Sequence, residues 1–434
     1  MNVLLLGLGR ANSAVARYLL KRNDLVYLYE DFPDRISGDL QLLLHRGEIR
    51  EYRDEDVGLV VSSPGFPMGK EIIRKMKSKG VPVIDELEFT YRHLNEPRII
   101  AVTGTNGKST TVALISEIFT AGGIRNFLGG NISPGRPFSF ALFEDMYDYY
   151  ILEVSSFQLM RIKSFRPHIA ILTNISADHL NWHSDFDEYA HAKLRIFMNQ
   201  RESDYAVLNA DDVLIQNLSL GLKAQKVMFG TTMGTTAHLD GNFCYEGEII
   251  LPVARAPIPG HHNAMNILAA IAVAKICRVD NDSITKGIQE YKGLPHRLEN
   301  IGSIHGVHYV NNSMCTNEEA AIASFKAVDG RKVVIVGGSQ KGEIGTRYLS
   351  LIADEAKACI ILGANADAIV RFFQSIRYNK YATAGNMTEA VNKAQSFAEV
   401  GDIIFLNPGY ASFGLFRNFE DRGDQFRNAI LEDR

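Results

Sequence analysis

Little in this chain is extreme, and each shortage closes off a class of protein. Of 434 residues only four are cysteine, Cys244, Cys277, Cys315 and Cys359, and they are too far apart to form a CxxC pair. That spacing argues against a zinc cluster and fits a reducing compartment, so a cytoplasmic protein is expected. Charge of one sign is also lacking. The 46 Lys and Arg against 50 Asp and Glu leave a net charge of −4, which gives no electrostatic reason to expect nucleic acid or an anionic membrane as partner. No apolar run approaches the length of a bilayer span. The opening Met1-Asn-Val-Leu-Leu-Leu-Gly7 lacks a basic n-region and a long apolar core, so it reads as a strand and not as a signal peptide. Internal repeats and low-complexity tracts are absent too. The remainder is ordinary globular material, 46% hydrophobic and 22% charged, and long enough for about three domains with cores of their own.

Strand-like runs alternate with helical patterns nearly throughout, which predicts parallel α/β layers. The expected organisation is three domains, 1–92, 93–293 and 294–434, each a mostly parallel sheet with flanking helices. The first and last are read as Rossmann-like and the central one as a P-loop ATPase-like domain. The central reading rests on Val102-Thr-Gly-Thr-Asn-Gly-Lys-Ser-Thr-Thr111, which follows an apolar run and precedes a helical pattern. Gly104 and Gly107 let backbone N–H groups turn onto phosphate oxygens, the helix start adds partial positive charge, and Lys108 adds a point charge beside Ser109. The generic phosphate-loop pattern has a further Gly where this chain has Val102, so the loop is a variant.

Other candidates fall at predicted strand ends, where open α/β sheets bind ligands. After a strand at 3–6, Gly7-Leu-Gly-Arg-Ala-Asn12 resembles a dinucleotide fingerprint with Asn12 in place of the third Gly, too weak a signal for a redox cofactor. A strand at 25–29 ends in Glu30 and Asp31, which either meet a ribose or uracil or lie at a solvated strand end. Ser63-Pro64-Gly65 is a turn after a strand at 59–62, and Gly129-Gly-Asn-Ile132 is a turn that exposes Asn131. Glu153 lies inside an apolar strand, where an unpaired carboxylate costs several kcal/mol; Mg²⁺ bridging Glu153, Ser109 and nucleotide phosphates is the natural partner. A strand at 169–173 ends in Asn174-Ile-Ser-Ala-Asp178-His179. The helix expected over 185–200 carries Lys193 on its apolar stripe. That lysine either snorkels outward or, desolvated, reacts as a neutral amine with CO₂ to give a carbamate that binds metal. Asn263 reads as a helix N-cap, a role that leaves Asn266 on the same face unexplained. In the last domain, strands at 307–310, 332–336, 358–362 and 402–406 place three polar loops on one sheet edge.

Taken together, Thr103-Gly-Thr-Asn-Gly-Lys-Ser109, Glu153-Val-Ser-Ser-Phe-Gln-Leu159, Asn174-Ile-Ser-Ala-Asp-His179, Ala192-Lys-Leu-Arg195, His262-Asn-Ala-Met-Asn266 and Leu294-Pro-His-Arg297 resemble the Mur ligase family. These are ATP-dependent enzymes that add amino acids to the peptide of cell-wall precursors, and the resemblance spans all three domains. The Ser-Ser-Phe-Gln-Leu run and Ala411-Ser-Phe-Gly-Leu-Phe-Arg-Asn-Phe419-Glu-Asp-Arg-Gly423 are similar to the members that join D-glutamate to UDP-N-acetylmuramoyl-L-alanine. The resemblance implies ATP bound by Gly104, Thr105, Asn106, Gly107, Lys108, Ser109 and Thr110, with Asn263 and Asn266 at adenine, Arg297 on the nucleotide and Asn312 near the ribose. It implies one Mg²⁺ on Ser109 and Glu153 and a second on His179 and a carbamylated Lys193. The UDP-linked substrate would be held by Gly9, Arg10, Ala11, Asn12, Glu30 or Asp31, and Ser63, Pro64 and Gly65, with Asn131 and Ser156 at the sugar-peptide region. An acidic amino acid would meet Thr316, Lys341, Ser412, Phe413 and Phe419.

Two departures bear on the acceptor. The family pattern Asn-Asp-Ser-Lys-Ala-Thr-Asn reads here as Asn311-Asn-Ser-Met-Cys-Thr-Asn317, so Asn312 replaces a carboxylate and Met314 a lysine expected to pair with the incoming amino acid. Losing a charge-assisted contact is not conservative. L-glutamate, another amino acid or a different wall precursor therefore stands as the alternative to D-glutamate. A nucleotide-binding switch or scaffold that ligates nothing is a further alternative; Glu153, His179 and Lys193 together argue against it. A monomer is expected, with no membrane or nucleic-acid partner.

Overall fold

Short β-branched and leucine runs such as Val3-Leu-Leu-Leu6 and Val333-Val-Ile-Val336 are buried on both faces, as parallel strands covered by helices on either side require. The computed structural model describes residues 1–431 except 8, 31–35, 37, 68, 134, 177–182, 233, 259, 340–343 and 413. Among the described residues the strands form three sheets. Chain contacts group them into two compact units, 1–292 and 293–434.

The first sheet comprises β1 (Asn2–Leu6), β2 (Leu25–Tyr29), β3 (Arg50–Glu51), β4 (Leu59–Ser62) and β5 (Val83–Asp85) in the order β3-β2-β1-β4-β5. All its pairings are parallel. The order reverses between β1 and β4, which opens a crevice at their carboxyl ends. Gly7 and Ser63 follow those two strands, so the structure brings together the two expected UDP loops.

The second sheet, in the same unit, comprises β6 (Ile99–Thr103), β7 (Asn126–Gly130), β8 (Tyr149–Glu153), β9 (Ile169–Leu172), β10 (Tyr205–Asn209), β11 (Gln225–Gly230), β12 (Ala237–Leu239), β13 (Asn242–Tyr245) and β14 (Glu248–Pro252). Its order is β14-β13-β12-β11-β10-β9-β6-β8-β7. The pairings are parallel from β7 to β12, and β12-β13-β14 close antiparallel. The switch point lies between β6 and β9, directly beneath the phosphate loop. The turn expected at 129–132 begins later, because Gly129 and Gly130 still pair with β8. The helix expected over 185–200 is α-helical only over Phe186–Leu194 and tightens into a 3₁₀ turn at Arg195–Phe197. There Arg195 is tied to the Leu159 and Ile162 carbonyls.

The two sheets of this unit meet through the helix Glu86–His93, which follows β5. Glu86 accepts from the Ser139 amide at 2.5 Å, and Glu88 accepts from the amides of Lys163, Ser164 and Phe165. Burial raises the Glu86 carboxyl above its ordinary range. Burial acts on Glu88 in the same direction, but the Ser164 hydroxyl and the three amides outweigh it and hold that carboxyl low.

In the second unit β15 (Glu299–Ile304), β16 (Val307–Asn311), β17 (Lys332–Val336), β18 (Ala358–Leu362), β19 (Tyr381–Ala384) and β20 (Ile403–Leu406) form a sheet in the order β15-β16-β20-β17-β18-β19. Only β15 is antiparallel. The loops after β16, β17 and β20 therefore leave one edge side by side.

Candidate active site

The phosphate loop is built by close approach. Gly104 has φ +150° and a Cβ there would lie 1.9 Å from Thr173 Oγ1. Gly107, which caps the helix Lys108–Ala121, has φ +84°, and its Cβ would lie 2.2 Å from Asn266 Oδ1. Neither position tolerates a side chain. Asn174, at the end of β9, clasps the loop tip: its Oδ1 accepts from Asn106 N at 2.9 Å and its Nδ2 donates to Asn106 O at 3.0 Å. Asn106 is exposed and Thr110 half-buried. Lys108 Nζ donates to the carbonyls of Gly104 and Thr105 at 2.9 and 2.8 Å.

Asn266 is buried and accepts from Thr111 Oγ1 at 3.3 Å. The N-cap reading of Asn263 is corrected: the helix His261–Ile276 starts at Gly260 with φ +98° and no side-chain cap. Asn263 thus lies inside the first turn, half-buried.

Glu153, 3% exposed, is paired on both oxygens. Ser109 Oγ donates to Oε2 at 2.5 Å and Asn131 Nδ2 to Oε1 at 3.0 Å. The Ser109 pairing follows the expected metal set, while the Asn131 pairing was missed. It arises because Gly130 lies opposite Glu153 in the β7–β8 register, a relation no local pattern announces. Two adjacent, buried oxygen donors suit a hard divalent cation.

Lys193 does not snorkel. It is 2% exposed, its Nζ donates to Gly104 O at 2.7 Å, and it lies 4.4 Å from the Tyr189 ring centroid. The Tyr189 hydroxyl in turn bonds Thr105 Oγ1 at 3.1 Å. His183, absent from the expected set, is buried against the Tyr189 edge and stacked on Phe157, with Nε2 3.0 Å from Ser156 Oγ. It precedes the Asp185 cap of the Lys193 helix by two residues, and no local pattern marks it. His179 and Asp178 lie outside the described residues, as do Asp31, Lys341 and Phe413.

At the first crevice, Gly9 and Arg10 are exposed and Ala11, Glu30, Ser63 and Pro64 half-buried, with Gly65 exposed. Asn12 is fully buried, and its Nδ2 donates to the carbonyls of Leu6 and Gly7 at 3.0 and 2.6 Å. Its amide closes the turn from below and does not line the crevice.

In the second unit Arg297 and Thr316 are exposed, Met314 and Phe419 half-buried, and Ser412 buried. Asn312 is buried, accepting from Leu298 N at 3.1 Å and donating to Asn407 Oδ1 at 2.9 Å, so both ends of its amide are engaged internally. Arg422, another residue not singled out from sequence, is 1% exposed. It donates to Ser313 Oγ and to the carbonyls of Ser313 and Tyr410 at 3.0, 2.8 and 2.9 Å. Burial pulls its guanidinium down to about 10.

A glycine-built phosphate loop at a sheet switch point, a serine at the helix start and a buried carboxylate beside it define a nucleotide-binding α/β protein of the P-loop class. Residues 102–274 match the family described as Mur ligase middle domain. A UDP-N-acetylmuramoylalanine–D-glutamate ligase of Pelotomaculum thermopropionicum is 36% identical over 99% of this chain and 97% of its own length. One of Streptococcus agalactiae is 36% identical over 98% and 95%. The chain belongs to the Mur ligase family. Solved structures share the fold: UDP-N-acetylmuramate-alanine ligase MurC of Thermotoga maritima has a TM-score of 0.61 at 18% identity, with 100% of both chains covered. The MurF ligase of the same organism, in complex with ADP, has a TM-score of 0.57 at 14% identity, covering 99% of this chain and 95% of its own.

Proposed function

We propose that this chain joins D-glutamate to the alanine carboxylate of UDP-N-acetylmuramoyl-L-alanine at the expense of ATP, as a step of peptidoglycan precursor synthesis. The observation that carries most weight is the Ser109–Glu153 contact of 2.5 Å at the start of the phosphate-loop helix, with Lys193 reaching the same loop at Gly104. Relatives bearing that activity in their names align over nearly the whole chain.

A carboxylate oxygen attacks the γ-phosphorus of ATP and ADP leaves, giving an acyl phosphate. The amine of the amino acid then attacks the acyl carbon, and phosphate departs from the tetrahedral adduct as the nitrogen loses its proton. Such transfers depend on positioning and charge neutralisation. The loop N–H groups from 104 to 109 orient the phosphates, and Lys108 neutralises the charge on the phosphoryl group in flight. Ser109 and Glu153 would hold one Mg²⁺, and His179 and a carbamylated Lys193 a second. Mg²⁺ when bound supplies further neutralisation of phosphate charge. Asn263, Asn266 and Arg297 serve the nucleotide. The 1–92 region binds the UDP substrate through the crevice at Gly9 to Ala11 and Ser63 to Gly65, with Glu30 or Asp31, and Asn12 supports the first of these turns from below. Asn131 and Ser156 serve the sugar-peptide end, and 294–434 binds the amino acid through Thr316, Lys341, Ser412, Phe413 and Phe419. The working form is a cytoplasmic monomer; all four cysteines are free, in keeping with a reducing compartment.

Phosphate release measured with ATP, Mg²⁺ and UDP-N-acetylmuramoyl-L-alanine against a panel of amino acids tests this reading. Stimulation by D-glutamate and not by L-glutamate is expected. The half-buried Met314, where a lysine is the family pattern, favours a second reading in which another amino acid is the acceptor, and the same panel would reveal it.

A further inference from the structure

Between the strand that ends in Glu153 and the helix that carries Lys193, the chain reaches the turn after β4 at Arg161. This side chain is 2% exposed. Its Nη1 donates to Ser62 Oγ at 2.7 Å and to Ser63 O at 2.9 Å, and its Nη2 donates to Phe66 O. Asp85, the acid beside it, is 3.6 Å away and spends one oxygen on the Leu87 amide at 3.0 Å. The short, directed bonds therefore go to the turn after β4, and the approach to Asp85 is the looser contact. The same turn is gripped from the opposite side, where a Cβ on Gly7 would lie 2.3 Å from Ser63 Oγ. The chain leading to Arg161 is stiff, because Ser155 and Gln158 form a reciprocal capping box on the helix Ser156–Leu159.

A buried guanidinium is an expensive way to fill space, and an apolar side chain of similar size serves stability as well or better. What an apolar residue cannot do is fix three acceptors of one turn in a single geometry. We infer that Arg161 is a positioning residue for the Ser63-Pro64-Gly65 turn, setting affinity for the uridine-diphosphate end of the substrate without touching it. The inference rests on the proposed role of that turn in UDP binding. It also ties the UDP crevice to the Glu153 strand end through a single stiff segment, 153–161.

The test compares wild type, Arg161→Lys and Ser62→Ala for steady-state turnover and for binding of UDP by calorimetry. Arg161→Lys keeps the charge and loses the fork; Ser62→Ala removes one acceptor with little change in volume, so it decides the matter if the lysine variant does not fold. The expected result is a rise in KM for UDP-N-acetylmuramoyl-L-alanine of about tenfold for Arg161→Lys and about threefold for Ser62→Ala. KM for ATP stays unchanged, and UDP affinity falls by the same factors. If wild type turns the substrate over and both variants keep KM and UDP affinity within about twofold, the inference is overturned while the ligase reading stands. A fall in kcat alone, or in melting temperature alone, likewise reduces Arg161 to a structural residue. If wild type binds UDP but ligates nothing, weaker UDP binding by the variants upholds the inference although the ligase reading fails; no UDP binding by wild type overturns it.

Discussion

Lys108 and Lys193 donate to the same atom. Their Nζ groups lie 2.9 and 2.7 Å from the carbonyl oxygen of Gly104, one arriving from the phosphate-loop helix and the other from 89 residues away. Two ammonium groups on one acceptor repel each other. Lys193, nearly inaccessible and lying over the Tyr189 ring, is the more confined. A neutral amine that adds CO₂ and loses a proton becomes a carboxylate, and the repulsion turns into attraction.

Lys193→Arg tests this, because arginine preserves the cation and cannot be carbamylated. Its ligase turnover should fall by at least about 100-fold. Wild type equilibrated with ¹³C-bicarbonate should show a carbamate carbon resonance that the variant lacks. Turnover close to wild type in bicarbonate-free buffer would remove Lys193 from the proposed metal set.

Gly107 and Gly123 flank the same helix, with φ of +84° and +69°, but they stand in different surroundings. A Cβ on Gly107 runs into Asn266, whereas one on Gly123 meets nothing within 4 Å. Gly123→Ala should therefore cost only backbone strain, about 1 kcal/mol in a urea titration, and leave KM for ATP alone. Gly107→Ala should raise KM for ATP at least about tenfold, since the loop or Asn266 must move. Equal effects of the two substitutions on ATP would show that the loop does not depend on this close approach.

What could be read from sequence, and what could not, follows from how far each contact reaches along the chain. The phosphate loop is local, with strand, glycines, lysine and serine contiguous between Val102 and Thr111, and it folds as expected. Glu153 was legible because a carboxylate inside an apolar strand is anomalous by itself. The clasp of Asn174 on Asn106, the Asn131–Glu153 bond and the reach of Arg161 to Ser62 depend on strand order and register, which place residues 68, 22 and 99 positions apart side by side. The Asn263 cap failed for a different reason. A cap is set by where the backbone leaves helical geometry, and here Gly260, with its positive φ, takes that place.

Glu153→Gln separates metal binding from folding. The amide retains the size of the carboxylate, its oxygen can still accept from Asn131 and its NH₂ can donate to the Ser109 hydroxyl, so melting temperature should move by no more than a few degrees. The requirement for Mg²⁺ should shift instead, with the half-saturating concentration rising by about 10- to 100-fold. An unchanged Mg²⁺ titration with normal turnover would place the metal elsewhere.

Asp85 gives the junction of the first two sheets a pH dependence of definite sign. Burial pushes its carboxyl up to about 8, with Arg161 only partly opposing this. An unfolded aspartate titrates near 3.9, so between roughly pH 4 and 8 the folded state holds a proton that the unfolded state has released. Stability therefore falls as pH rises through that window and levels off above it. Asp85→Asn carries no titrating group and should lose this slope. In urea titrations at pH 5, 7 and 9, the midpoint of the variant relative to wild type should rise with pH, by an amount worth on the order of 1–3 kcal/mol across the series. A constant difference between the two proteins from pH 5 to 9 would mean that Asp85 is ionised throughout, held by Arg161 as an ordinary buried ion pair.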